Sequence, residues 1–337
     1  MSVLQPDSSR PVDVVCLGNA IVDVLVQVDD AFLDAHSMVK GSMQLTDPDR
    51  ARSIYAAMPP AIEISGGSAA NTAAGLASMG RRTTFIGKVA DDELGEVFAH
   101  DIRAVGVGFE GATAAGDAGS AGTARCLICV TPDAERTMNT SLGVAGQIGP
   151  DDVDDSLVVD AKVVYIEGYL WDEPLAKQTI LRFMASAAAA GTPVAFTLSD
   201  GFCVDRHRVE FLELITENVD ILFANHDEIC SLFETDSFDE AIEKVTGLCA
   251  IACVTRSEKG STIITADGTR FDVPAAFTVP VDTTGAGDLY AAGVLAGWVA
   301  GSDLETCGRM GSMAAAEVIS HLGARPQADL SALLEEL

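Results

Sequence analysis

The sequence has few basic residues and no long apolar run. Of its 337 residues, 21 are Lys or Arg and 50 are Asp or Glu, which gives a net charge of -29 at pH 7. A surface of this sign repels phosphate backbones, so we expect no nucleic-acid partner. No apolar run reaches the ~18 residues that cross a bilayer, so we expect no membrane segment. The N-terminal residues lack the positively charged segment that precedes the apolar stretch of a signal peptide. We therefore expect no signal peptide and a cytoplasmic protein.

Motifs of several well-known enzyme classes are also missing. The chain contains neither the G-x-x-x-x-G-K-[ST] phosphate loop nor the H-E-x-x-H zinc motif. Of its eight cysteines, Cys126 and Cys129 form a C-x-x-C, and no second such pair accompanies them. They lie in a strand-like run, where positions three apart face opposite sides, so we expect buried, reduced thiols.

The letters GVGFEG at 106–111 match the dinucleotide-binding pattern G-x-G-x-x-G. That pattern indicates a dinucleotide site only when a strand precedes it and a helix follows it. Here a helical pattern at 91–106 precedes it, and a stretch rich in Gly and Ala follows as far as residue 122. We therefore predict a helix end that runs into a loop, and a dinucleotide-dependent oxidoreductase remains a minor alternative.

Strand and helix patterns alternate through the second half of the chain. Short apolar runs at 161–168, 193–199, 219–225 and 250–257 are each followed by a helical pattern or a turn. Such alternation predicts a parallel sheet in a three-layer α/β/α domain. Two extended segments, at about 20–46 and 123–140, do not fit the rhythm, and we predict that they form a small β-sheet lid. We predict that residues 1–337 form a single domain, and that all residues outside these two lid segments belong to its large α/β part.

The stretch VDTTGAGDLYAAG at 281–293 joins a strand-like run to a buried helix. Backbone N–H groups at a helix N-terminus bind anions, and glycines let an oxyanion approach closely. Asp288 falls in the first turn of this helix. A carboxylate beside an anion hole suits phosphoryl transfer, because it can take a hydroxyl proton while the amides hold negative charge. A capping aspartate on a tightly packed helix is an equally good interpretation of the residues alone.

The stretch SGGSAANTAAG at 65–75 places paired glycines before a helix of small residues. The glycines would let a sugar approach the backbone, and Asn71 could hydrogen-bond a hydroxyl group. A helix cap with close helix packing explains the same residues equally well.

The stretch ANHDE at 224–228 ends an apolar strand and begins a helix. Open α/β sheets bind ligands at the carboxyl ends of their strands, and the oxygen-bearing side chains of Asn225 and Glu228 suit Mg²⁺. Taken alone, these residues are better explained as an Asn cap paired with Glu in a capping box.

Together these stretches resemble the motifs of the PfkB/ribokinase family of carbohydrate and nucleoside kinases. GGSAANTA is similar to its N-terminal signature, DTTGAGDLYAAG to its C-terminal signature, NHDE to its N-x-x-E magnesium motif and VTRSEKG at 254–260 to its nucleotide loop. The resemblance runs in order from Gly18 to about Pro326. It implies a Rossmann-like α/β domain with a β lid over the sugar site, and transfer of the ATP γ-phosphoryl group to a primary hydroxyl with Mg²⁺ as cofactor.

The resemblance also implies roles for individual residues. Asp288 becomes the catalytic base, with an anion hole formed by Gly285, Ala286 and Gly287. Mg²⁺ would be ordered through water by Asn225 and Glu228, and Asp282 with the loop at 323–326 would hold a monovalent cation such as K⁺. Sugar hydroxyls would be bound by Asp23, with Asn19, Gly66, Gly67 and Asn71 beside it. The ATP site would include Asn225, Thr255, Ser257 and Gly260.

Other stretches resemble bacterial adenosine-kinase-like members of the family. These are GNAIVDVLVQVDDAFL, KGSMQLTD, ERTMNTSLG and EGYLWD. In such members an arginine that corresponds to Arg136 is a candidate to reach the transferred phosphate, and an exposed hairpin residue is the alternative. An acidic sugar would need a cation in its site, and the segments offer few besides Lys40 and Arg136, so a neutral acceptor is favoured. Ser257 stands where the nucleotide loop usually has its first glycine, which leaves the phosphate donor open.

The sequence thus favours an ATP-dependent adenosine kinase. A kinase for ribose, fructose or another small sugar is the alternative within the same chemistry, and a non-catalytic sugar-binding module keeps the fold without the reaction. Neither a monomer nor a homodimer is excluded.

Overall fold

The computed structural model describes residues 4–114, 121–133 and 135–334. A nine-stranded sheet runs through it in the order β14-β13-β12-β11-β10-β9-β1-β5-β6. The pairs from β6 to β12 are parallel, and β12, β13 and β14 are antiparallel. Its strands are β1 (Val12–Leu17), β5 (Thr83–Ala90), β6 (Gly108–Ala114), β9 (Ala161–Glu167), β10 (Val194–Thr197), β11 (Ile221–Asn225), β12 (Ile251–Thr255), β13 (Ser261–Thr265) and β14 (Arg270–Val273).

Helices cover both faces of this sheet. Alternate residues of β1 enter separate cores, with Val14 and Cys16 on one face and Val15 and Leu17 on the other. The predicted three-layer α/β class is therefore confirmed. The helices are α1 (Asp30–Ala35), α2 (Pro48–Ala57), α3 (Ser68–Ser78), α4 (Glu93–Ala104), α5 (Ser156–Asp160), α6 (Pro174–Ala190), α7 (Gly201–Asn218), α8 (His226–Leu232), α9 (Phe238–Val245), α10 (Ala286–Val299), α11 (Leu304–Val318) and α12 (Leu330–Leu334).

A second sheet of five strands has the order β3-β8-β7-β2-β4. It contains strands from both segments predicted to form the lid, together with β4, which lies outside them. The strands are β2 (Ile21–Gln27), β3 (Met43–Leu45), β4 (Ile62–Gly66), β7 (Ala124–Val130) and β8 (Arg136–Ser141). Because β4 leads directly into α3, this sheet is joined to the start of a helix of the large layer.

The prediction of a loop after residue 106 is wrong for residues 108–114. Residues Gly108–Ala114 form an edge strand that pairs in parallel with β5. Phe109 anchors it, because its buried ring packs against Phe85 and Phe98. Gly and Ala obscured this strand in the sequence, since they favour strands weakly. With a strand after it instead of a helix, GVGFEG lacks the context of a dinucleotide site. The end of the predicted loop, 115–120, lies outside the described residues.

Small residues let three helices approach closely near the centre of the molecule. A side chain at Gly75 of α3 would come within 2.5 Å of Leu289 in α10, and one at Gly293 within 2.6 Å of Gly311 in α11. The buried run of α10, from Leu289 to Val299, is fixed by these contacts. The N-termini of α3 and α10 are thereby held next to each other. Among the described residues, none of the helices has the length and apolarity that a membrane crossing needs.

Candidate active site

The carboxyl ends of the parallel strands bring several predicted site residues to one edge of the large sheet. Asn19 lies just beyond β1, Asn225 ends β11 and Thr255 ends β12. Glu167, which ends β9, joins them, although it is not among the predicted site residues. This edge is where open α/β sheets bind ligands.

Asp288 lies in the first turn of α10 and contacts the first two turns of α3. Its Oδ1 accepts a hydrogen bond from Ser68 Oγ at 2.7 Å, and its Oδ2 accepts one from Asn71 Nδ2 at 2.9 Å. Burial raises the pKa of Asp288 above its ordinary value, and the two hydrogen bonds and the Arg325 charge oppose that rise. The carboxylate is therefore held in a fixed direction and is a stronger base than an exposed aspartate.

The turn before Asp288 has a left-handed backbone. Gly285 has φ +79° and caps α10 without a side-chain hydrogen bond to the first turn. A side chain there would also approach Ala324 to 2.8 Å, so glycine is required on both counts. The helix N-terminus at Gly285, Ala286 and Gly287 is consequently open to an anion, with the positive end of the helix dipole behind it.

Two amide oxygens at the predicted sugar site have no hydrogen-bond partner within the described part of the chain. They are Oδ1 of Asn19 and Oδ1 of Asn71, and both side chains are buried. A buried acceptor without a donor is unfavourable, so these atoms suit a ligand that carries hydroxyl groups. Asp23 faces the same region, and burial raises its pKa to about 7.

Close packing requires glycine at two positions between these groups, Gly66 and Gly67. A side chain at Gly66 would approach the Asp23 carboxylate to 2.3 Å, and one at Gly67 would approach the Asn19 carbonyl oxygen to 2.3 Å. Gly67 also has φ +95°, which favours glycine. The backbone of this turn therefore lies directly beside the sugar-site side chains.

Glu167 connects two of these segments and is buried to 1% exposure. Its Oε1 accepts hydrogen bonds from both N and Nδ2 of Asn19, and its Oε2 accepts one from Ala69 N at the start of α3. Burial raises the pKa of Glu167 to about 7, and the three donors oppose that rise. A polar residue at the carboxyl end of a buried strand was the signal that could have found it.

Arg325 is a second residue whose role the sequence did not indicate. It is buried, and it donates to Ser65 O at 2.9 Å, to Ala70 O at 2.5 Å and to Ser65 Oγ at 3.1 Å. Burial lowers its pKa to about 10, and the carboxylates of Asp23 and Asp288 oppose that change. Arg325 therefore holds the backbone on both sides of the Gly66–Gly67 turn and supplies positive charge to the site.

Arg136, at the start of β8, contacts the turn that precedes α10. Its guanidinium donates to Thr284 Oγ1 at 2.6 Å and pairs with the Asp282 carboxylate. Its side chain is 15% exposed, so the alternative of an exposed hairpin residue is wrong. Asp282 also accepts hydrogen bonds from the backbone N–H groups of Thr284 and Gly323. A monovalent cation at Asp282 would have to compete with these donors, and its role there stays a prediction.

Asn225 and Glu228 form the capping box that the sequence left as the alternative to a metal site. Asn225 Oδ1 accepts from Glu228 N, and Glu228 Oε2 accepts from Asn225 N. Burial raises the pKa of Glu228 to about 7, and the nearby carboxylates of Asp200, Asp227 and Asp288 add to this rise. Among the described residues, no group of three or more acidic, histidine or cysteine side chains lies close enough to bind a metal ion directly. Mg²⁺ near Asn225 and Glu228 would therefore have to keep most of its water ligands, as Mg²⁺ commonly does.

In the predicted nucleotide loop at 254–260, Ser257 has a left-handed backbone conformation that glycine adopts most easily. Ser257 is exposed and has φ +52°, and Gly260 has φ +81°. A side chain at Gly260 would approach Val273 O to 2.0 Å, so only glycine fits there. The departure at Ser257 adds a hydroxymethyl group and preserves the path of the loop from Thr255 onward.

The chain is similar to a known family and to several known proteins. The family described as pfkB family carbohydrate kinase matches residues 63–330. The adenosine kinase from Sinorhizobium meliloti is 49% identical, with TM-score 0.89 over 96% of this chain and 99% of that chain. A probable sugar kinase protein from Rhizobium etli CFN 42 is 46% identical, with TM-score 0.89 over 97% and 98% of the two chains. An ATP-dependent ribose-1-phosphate kinase from Halopiger xanaduensis is 31% identical over 80% of this chain and 86% of its own length.

We predict that Arg325→Met lowers the free energy of unfolding by about 3 kcal/mol, because it leaves buried carboxylates and carbonyls without their cation and donors. Urea unfolding at pH 7.5 measures the change. Arg82→Met is the control, since the Arg82 side chain is 64% exposed and its ion pair with Asp13 spans 3.7 Å. Equal losses in the two variants would contradict the role of Arg325.

Proposed function

This chain belongs to the PfkB family of carbohydrate kinases, and we propose that its acceptor is adenosine and its product AMP. As a member of this family, the protein is a phosphotransferase that acts on a hydroxyl group of a sugar or nucleoside. ATP would be the phosphate donor. The five-stranded sheet would act as the lid over the acceptor.

The proposal rests above all on the face of the five-stranded sheet that carries Asp23. The strand registers align Asp23 with Ile64 and Cys126, and Leu25 with Ile128. Paired residues in neighbouring strands share a face, so apolar side chains surround the single carboxylate. Further along the same face, the registers add Met138, Met43 and Leu45, together with the polar side chains of Thr140 and Arg136. A mainly apolar surface beside one carboxylate suits a planar base attached to a ribose.

The basic side chains nearby favour a neutral acceptor. Lys40 donates to Asp30 at 2.7 Å and to Asp133 at 2.6 Å. Arg136, on the same sheet, is paired with Asp282. Both cations are thus already compensated by carboxylates of the chain, and an acidic sugar would have to compete for them.

The proposed reaction follows from the contacts of Asp288. Its carboxylate would take the proton of the acceptor's primary hydroxyl as the oxygen attacks the γ-phosphorus of ATP. The amides at 285–287 and the guanidinium of Arg136 would hold the negative charge that spreads over the transferred phosphoryl group. Bound Mg²⁺, ordered by Asn225 and Glu228, would neutralise phosphate charge. Removal of water from the site by the lid would limit hydrolysis of ATP.

Ribose 1-phosphate or another sugar is the second candidate for the acceptor. The similarity to the Halopiger xanaduensis enzyme favours it, and the unpartnered oxygens of Asn19 and Asn71 suit any hydroxyl-bearing ring. The apolar face of the lid sheet would then have no ligand group to cover.

An acceptor panel separates these candidates. ADP release is measured with ATP and Mg²⁺ over adenosine, other nucleosides, ribose, ribose 1-phosphate and fructose, and products are identified by chromatography. We expect the highest kcat/KM with adenosine and the product AMP. A higher kcat/KM with any of the sugars would overturn the adenosine assignment.

We predict that Asp288→Asn lowers kcat by about 10²- to 10⁴-fold, the usual contribution of a general base. Binding of both substrates should remain, because Asn can keep the contact with Ser68. Rapid-quench kinetics and calorimetric titration measure the two quantities. Asp303→Asn, at the N-cap of α11, is the control. Near-native kcat in the Asp288 variant would disprove its role as the base.

We also predict that kcat falls at acid pH as Asp288 becomes protonated, since only the ionised carboxylate accepts a proton. Burial raises its pKa and the Ser68 hydrogen bond lowers it, so Ser68→Ala should shift the acid limb to higher pH. Measurement of kcat from pH 5 to 9 tests this, with Ser9→Ala, at an exposed serine, as the control. A limb that stays in place in the Ser68 variant would contradict the prediction.

A further inference from the structure

Glu167 has no part in the phosphoryl transfer proposed above. Its side chain is nevertheless nearly inaccessible to solvent and accepts three hydrogen bonds. Both Asn19 bonds go to Oε1, at 2.8 Å from N and 2.7 Å from Nδ2. Oε2 accepts from Ala69 N at 2.8 Å. One carboxylate thus holds the loop after β1 and the first turn of α3.

The chemistry of these bonds fixes the direction of the Asn19 amide. An ionised carboxylate only accepts hydrogen bonds, so it selects the NH₂ end of an amide. Oδ1 of Asn19 must then point away from Glu167. That oxygen is buried and has no donor among the described residues. The orphan acceptor is thus a direct consequence of the hydrogen bond from Asn19 Nδ2 to Glu167 Oε1.

Close packing prevents the amide from escaping this arrangement. A side chain at Gly18, the preceding residue, would lie 2.5 Å from Glu167 Oε2. On the other side, the Asn19 carbonyl lies against Gly67, where a side chain would approach it to 2.3 Å. Asn19 is therefore enclosed between Glu167 and the Gly66–Gly67 turn.

We propose that Glu167 is a positioning residue that orients the Asn19 amide so that Oδ1 accepts a hydrogen bond from a ribose hydroxyl of the acceptor. Glu167 itself does not touch the acceptor. The proposal rests on the proposed function, in that the acceptor carries a ribose. It assigns hydroxyl selectivity to a residue on a strand of the large sheet, apart from the lid.

The test compares adenosine with 2′-deoxyadenosine and 3′-deoxyadenosine in wild type, Glu167→Gln and the exposed control Glu213→Gln. In wild type, loss of the hydroxyl that Asn19 accepts leaves a buried acceptor unpaired, and kcat/KM should fall about 10- to 100-fold for one analogue. Gln offers both a donor and an acceptor, so the Asn19 amide can turn. In Glu167→Gln the ratio of adenosine to that analogue should shrink about tenfold, mainly through KM for adenosine.

A purely structural role would lower kcat/KM equally for all three nucleosides, and an unchanged ratio in Glu167→Gln would overturn the proposal. Asn19→Ala keeps Glu167 and removes Oδ1, so it should shrink the same ratio if Glu167→Gln fails to fold. Wild type that treats both deoxy analogues like adenosine would also overturn it. If wild type accepts no nucleoside, the proposed function fails instead, and the same ratio is then measured with the sugar found in the acceptor panel and its deoxy analogues.

Discussion

Burial of negative charge is the constraint on which this site depends. Asp23 and Asp288 are half-buried in a protein whose net charge is already -29, and Arg325 is a buried cation whose charge acts on both. The same guanidinium bonds to Ser65 O and Ala70 O, so the charge balance and the backbone of the glycine turn are maintained by one side chain. Removal of either carboxylate would leave the buried guanidinium with less compensating negative charge, so geometry and charge cannot be adjusted separately here.

The helices make this arrangement rigid. Gly75 and Gly293 allow α10 to lie against its two neighbours at distances that any side chain would prevent. Asp288 is therefore carried by a helix that is buried along nearly its full length, and Asn71 by the helix packed against it. Both side chains are thus held in place by close helix packing directly beside them, which is the kind of support that precise placement of reacting groups would demand.

Local patterns predicted the α/β class, the two extended segments that contribute strands to the small sheet and the position of Asp288 at a helix start, because strand periodicity, turn residues and helix starts are encoded within a few neighbours. Glu167 and Arg325 were not found, since their partners lie 98 or more and 255 or more residues away in the chain. The partners of Arg136 were hidden for the same reason. The edge strand Gly108–Ala114 was missed because its glycines and alanines resemble a loop.

The ion pair between Arg136 and Asp282 joins a strand of the small sheet to the turn that begins α10. An anion bound at that turn would compete with Asp282 for the guanidinium. Under the proposed function, occupancy of the turn and the position of the small sheet would then be thermodynamically linked, and each would alter the other by the same free energy. A single arginine would thus let the binding of one reactant change the free energy of the sheet proposed to cover the other.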